Sequence, residues 1–64
     1  TGITLAHNVG SKEEVDRDYE LAILAGAKSI KKPKSATWVG YSGYFADPDG
    51  YLWEVVYNPF VNLT

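Results

Sequence analysis

The sequence predicts an α+β domain whose elements run in the order βαβββ. Three patterns carry that reading. Ile3, Leu5, His7 and Val9 alternate with Thr4, Ala6 and Asn8, which is the period of a strand. Val15, Tyr19 and Ala22 then recur at helical spacing. Asp47-Pro48-Asp49-Gly50 is a tight-turn signal between two aromatic and β-branched runs.

Gly10 ends the first strand. Ser11 stands three residues before Glu14, the spacing of a capping box. Glu13, Glu14, Asp16, Asp18 and Glu20 crowd the first half of the helix, where the macrodipole favours negative charge. Ile23 and Leu24 widen the apolar stripe late, and Gly26 suits a C-terminal cap, so the helix is expected from Lys12 to Ala25. Lys28 to Lys34 gives a weaker strand signal with Ile30 as its apolar member. Its four lysines and Pro33 fit an edge strand kept soluble by charge. Ser35 to Gly40 reads as a loop carrying Trp38, followed by a third strand, Tyr41 to Ala46. In the turn, Asp47 can accept hydrogen bonds from its own backbone and Gly50 supplies a positive φ. Leu52 to Tyr57 is the fourth strand, stopped by Asn58-Pro59. The last two strands form a hairpin, and the first reaches its partner through the helix.

Composition narrows the function classes. With 64 residues the chain makes one domain at most, and a small one that is marginal alone. There is no cysteine, hence no disulfide and no thiolate ligand or nucleophile. A single histidine excludes a multi-histidine metal site within one chain. Two tryptophans, five tyrosines and two phenylalanines favour a packed fold over disorder. The net charge of −2 argues against nucleic-acid binding. No apolar run approaches a membrane span, and no signal peptide is visible, so a cytoplasmic protein is expected. The chain starts at Thr1-Gly2, inside what reads as its first strand, which suits a fragment or half-unit of a larger fold.

The anomaly is Glu54. Leu52, Trp53, Val55, Val56 and Tyr57 read as a strand buried on both faces, and a carboxylate among them needs a partner, a proton or a metal. By parity Trp53 faces the helix as a core residue. His7 also falls on that face, beside Leu5 and Val9, and is read as a core or subunit-contact histidine.

The stretch from Gly40 through Asp47-Pro48-Asp49-Gly50 to Glu54-Val55 resembles the C-terminal strand pair of the vicinal oxygen chelate superfamily, which includes glyoxalases, bleomycin- and fosfomycin-resistance proteins and extradiol dioxygenases. Ala6-His7-Asn8-Val9 and Ala25-Gly26-Ala27 look similar to its glyoxalase-like members. The resemblance covers nearly the whole chain. It implies a single βαβββ module over residues 1–64, with a curved, mostly antiparallel sheet and one helix on its outer face. Two such modules pair around a cup, here in a homodimer or with a second module of a longer chain. In metal-dependent members each module supplies one ligand from its first strand and one from its last. Glu54 matches the last-strand position, but the first-strand position falls on Thr4, a poor ligand for zinc, nickel or iron. The resemblance also turns Tyr44 toward the cup and puts Trp38 at its mouth, as lid or subunit contact, with Thr4 and Asn8 as further lining residues.

Two function classes follow. The first is a metal-independent binder holding a small planar molecule between residues such as Tyr44 and Trp38. The alternative is a metal-dependent lyase, isomerase or dioxygenase with Glu54 as ligand to a divalent cation. A structural module or inactive fragment is the third reading. No serine has a nucleophile context, the glycines make no phosphate-binding spacing, and no catalytic residue is assigned.

Overall fold

The computed structural model describes residues 4–36 and 40–59. Strand β1 (Thr4–Asn8) leads into helix α1 (Lys12–Leu24), and strands β2 (Lys28–Ala36), β3 (Gly40–Ala46) and β4 (Leu52–Tyr57) follow. The domain is α+β with the order βαβββ. Its single mixed sheet has the strand order β1-β4-β3-β2. β3 pairs antiparallel with both β2 and β4, and β1 pairs parallel with β4. The partner of β1 is therefore the last strand in sequence. α1 instead carries the chain across the sheet to β2 at the opposite edge.

α1 begins where its chemistry says it should. The Ser11 hydroxyl accepts from the backbone N–H of Glu14 at 3.1 Å, and Glu13 and Glu14 fill the first turn. Ala25 caps the other end. Val15 and Tyr19 are buried, whereas Leu24 is 77% exposed and does not extend the buried stripe. Nine residues after Val15, Leu24 comes round to the opposite side of the helix, away from the face that packs on β2, β3 and β4. The core is Val9, Val15 and Val55, with Tyr41, Phe45 and Tyr57 packed against it.

The edge strand β2 is longer than its sequence pattern suggests. Ser35 and Ala36 belong to it and Gly40 begins β3, so the expected loop from Ser35 to Gly40 shrinks to residues 37–39. Trp38 lies there, outside the described residues. β2 carries two interruptions of register. Ile30 is the extra residue between the Ser29–Phe45 and Lys31–Tyr44 pairs, and Lys32 and Pro33 together stand opposite Gly43. Gly43 makes room for this: a Cβ there would come within 2.9 Å of the Pro33 backbone nitrogen. Lys28, Lys31, Lys32 and Lys34 are all exposed, as an edge guarded by charge requires.

The β3–β4 turn is built around one carboxylate. Asp47 Oδ1 accepts from the N–H groups of Asp49 (3.0 Å) and Tyr51 (2.9 Å), and Oδ2 accepts from the indole N–H of Trp53 (3.0 Å). Gly50 takes a φ of 90°, the conformation that excludes most side chains at the end of this turn. Among the described residues no helix is long and apolar enough to cross a membrane.

Candidate functional site

Register sorts the side chains onto two faces. Leu5, His7, Tyr41, Phe45, Trp53 and Val55 lie on the face that carries α1, and Thr4, Ala6, Asn8, Tyr44, Glu54 and Val56 on the other. Three of the residues expected to line a site, Thr4, Asn8 and Tyr44, therefore share a face with Glu54. Across the middle of that face the register aligns Lys31, Tyr44, Glu54 and Ala6, one from each strand.

At the centre of this row the Tyr44 hydroxyl donates to Glu54 Oε2 at 3.1 Å, and both residues are half-buried. This is the partner the carboxylate needed among its apolar neighbours. The pairing has two chemical consequences. The phenolic proton of Tyr44 is engaged, so Tyr44 meets a ligand as a ring face and an acceptor rather than as a free donor. Burial, and then the adjacent carboxylate, push the Tyr44 pKa above 10.0, so the phenol stays protonated at neutral pH. Tyr44 engages Oε2, so Oε1 can accept from a further N–H or O–H donor.

A divalent metal fits these residues poorly. Ala6, not a ligand residue, pairs with Glu54 on β1, while Thr4 pairs with Leu52. Among the described residues no three of His, Cys, Asp and Glu come together as a metal site. Among the described residues, Glu54 is the carboxylate that the strands place on this face.

His7 is on the helix face, as parity predicts, but it is not a core residue. Its side chain is 54% exposed and its Nε2 lies 3.1 Å from Asp18 Oδ2. The physical reason is that α1 leaves the β1 edge uncovered, so a position facing the helix side at β1 still sees solvent. A groove of about 250 Å³, lined by His7, Asp18, Leu21, Phe45, Trp53 and Val55, follows this uncovered edge. Trp53 itself is half-buried, stacked on Phe45 with ring centroids 6.4 Å apart.

Two residues of the site row escaped the sequence reading. Lys31 sits beside Tyr44 only because Ile30 bulges, which no periodicity reveals. Ala6 opposes Glu54 because β1 joins β4 in parallel, a long-range pairing. The Tyr44–Glu54 pair itself left a readable signal, since a four-residue turn fixes the hairpin register.

The model of the Glyoxalase/Bleomycin resistance protein/Dioxygenase superfamily matches residues 1–55. The chain belongs to that superfamily. A glyoxalase-related enzyme from Fulvimarina pelagi superposes with a TM-score of 0.93 at 34% identity, covering 100% of this chain and 46% of its own. A glyoxalase/bleomycin resistance protein/dioxygenase family enzyme from Burkholderia phytofirmans PsJN gives a TM-score of 0.82 at 30% identity, covering 88% and 44%. A hypothetical protein from S. aureus shares the fold at 23% identity, with a TM-score of 0.81 over 89% of this chain and 50% of its own. The chain thus spans about half the length of these solved relatives. A comparison with curated proteins finds no match.

Proposed function

We propose that this superfamily member binds a small planar molecule on the sheet face opposite α1, in a cup completed by a second βαβββ unit and without a tightly held metal. The observation that carries this reading is the Tyr44–Glu54 hydrogen bond, a polar pair on a sheet face that α1 does not cover. An aromatic ring face beside a half-buried acceptor suits a flat ligand that carries N–H or O–H donors. Thr4 and Asn8 supply further polar groups from β1, and Trp38 closes the list of residues proposed to contact the ligand.

The pair also makes the reading selective. An ionised carboxylate only accepts, so ligands bearing a donor or a positive charge are favoured at the Glu54 end. Benzamidine is therefore expected to bind the assembled protein at roughly micromolar to millimolar affinity, and more tightly than benzoate. Glu54→Gln should weaken benzamidine and tighten benzoate, because the like charge facing its carboxylate is gone. Equal affinity for the two probes, or a Glu54→Gln variant that binds benzamidine like the parent, would remove the basis of this proposal.

The metal-dependent alternative rests on Glu54 standing at the last-strand ligand position. It requires donors that the described residues of one chain do not supply. Metal analysis of the protein, coupled to its molar mass in solution, separates the two readings. Stoichiometric zinc, nickel or iron that disappears in Glu54→Gln would favour the metalloenzyme.

A further inference from the structure

Tyr19 lies on α1, across the sheet from the Tyr44–Glu54 pair. Its hydroxyl nevertheless donates to the backbone carbonyl oxygen of Tyr44 at 3.0 Å, and it shares a second hydrogen bond with the Ser29 hydroxyl. One phenolic proton cannot serve both. With that proton on the carbonyl, Ser29 is the donor to the Tyr19 oxygen. The contact falls where the β2–β3 ladder is interrupted by Ile30, beside the Lys31–Tyr44 pair. The Tyr19 ring also meets the Phe45 ring edge-on, with centroids 6.0 Å apart and planes at 77°. One buried helix residue therefore holds the carbonyl of residue 44 and the ring of residue 45. Those two restraints fix the direction in which the Tyr44 side chain leaves the sheet, and any tilt of that peptide is magnified along the length of the phenol.

We infer that Tyr19 is a positioning residue for the ligand face: by holding the Tyr44 carbonyl at the bulge, it sets the reach of the Tyr44 hydroxyl to Glu54. The inference rests on the proposed ligand face for its functional meaning, yet the coupling itself is measurable without a ligand. Tyr44 stands on β3 opposite the bulge in β2, where the ladder on that side is interrupted. The hydroxyl of Tyr19, anchored in the core, replaces the stiffness that regular pairing would provide.

The test uses ring-labelled tyrosine and NMR on the whole chain, with Tyr44 assigned through Tyr44→Phe. Tyr19→Phe keeps the ring contact with Phe45 and deletes only the hydroxyl. It is expected to lower the titration midpoint of Tyr44 toward the ordinary tyrosine value, as its hydroxyl disengages from Glu54, and to weaken benzamidine about threefold to tenfold. Ser29→Ala should act in the same direction with a smaller effect. Tyr41→Phe is the control, because it removes a different tyrosine hydroxyl bond between β3 and α1, the one to Asp16. It should lower thermal stability and leave the Tyr44 midpoint in place. An unchanged Tyr44 midpoint in both Tyr19→Phe and Ser29→Ala would overturn the inference, as would an equal shift in Tyr41→Phe. If the parent fails to bind benzamidine while Tyr19→Phe still lowers the Tyr44 midpoint, the positioning stands and the proposed ligand face falls.

Discussion

Asp47 gathers three donors onto one side chain, from Asp49, Tyr51 and Trp53. The Trp53 indole N–H, helped by the backbone N–H groups of the turn, holds its carboxyl below the usual 3.8. A carboxyl whose pKa is lowered on folding stabilises the fold above its unfolded value, and that contribution is lost as the pH falls through the folded value. Asp47→Asn should therefore lower the melting temperature at neutral pH, and the gap to the parent should close as the pH falls below the ordinary aspartate range. Melting curves that stay parallel across that fall in pH would contradict the assignment. Trp53 is the second residue to test. It is half-buried and stacked on Phe45, so Trp53→Ala is expected to cost about 2–3 kcal/mol, below the ~3–5 kcal/mol of a fully buried aromatic. Chemical denaturation reads this directly, and a cost under about 1 kcal/mol would mean that the stack does not stabilise the fold.

At the scale of elements, legibility followed how local the determining physics is. β4 and the start of α1 were readable because their signals are adjacent in sequence: a turn before Leu52, and Ser11 three residues before Glu14. β2 was under-read because Lys, Pro and Ser have little strand preference, and β3 supplies the pairing that makes Ser35 and Ala36 a strand. His7 lies on the helix face as parity predicts, but the core alternative fails because parity says nothing about how far a helix extends over an edge strand. By helical spacing alone Tyr19 reads as an apolar stripe residue. A buried tyrosine hydroxyl needs a partner, and that rule could have flagged it. The Gly43–Pro33 fit gives the test at this scale. Gly43→Ala places a Cβ against the Pro33 backbone, so β2 has to shift, at a cost of about 1–3 kcal/mol. Hydrogen exchange should show the loss concentrated in β2 and β3, and uniform or absent loss would argue against a local clash.

For the whole molecule, the informative fact is what α1 leaves open. It covers β2, β3 and β4 on one face, while β1 stays at an exposed edge and, among the described residues, no helix lies on the Tyr44–Glu54 face. The solved relatives are about twice as long. The cup proposed above is closed by a second βαβββ unit. If a second copy of the chain supplies it, folding and pairing are linked, and the melting temperature should rise with protein concentration. A concentration-independent melting temperature with a monomeric molar mass would argue against self-pairing. The measurement that bears most directly on the central claim is chemical-shift mapping of benzamidine on the assembled protein. The expected result is a set of perturbed resonances at Tyr44, Glu54, Thr4 and Asn8, weakened in Tyr44→Ala. Perturbations confined to the groove of His7, Leu21 and Trp53, or to the lysine edge of β2, with Tyr44 undisturbed, would contradict it.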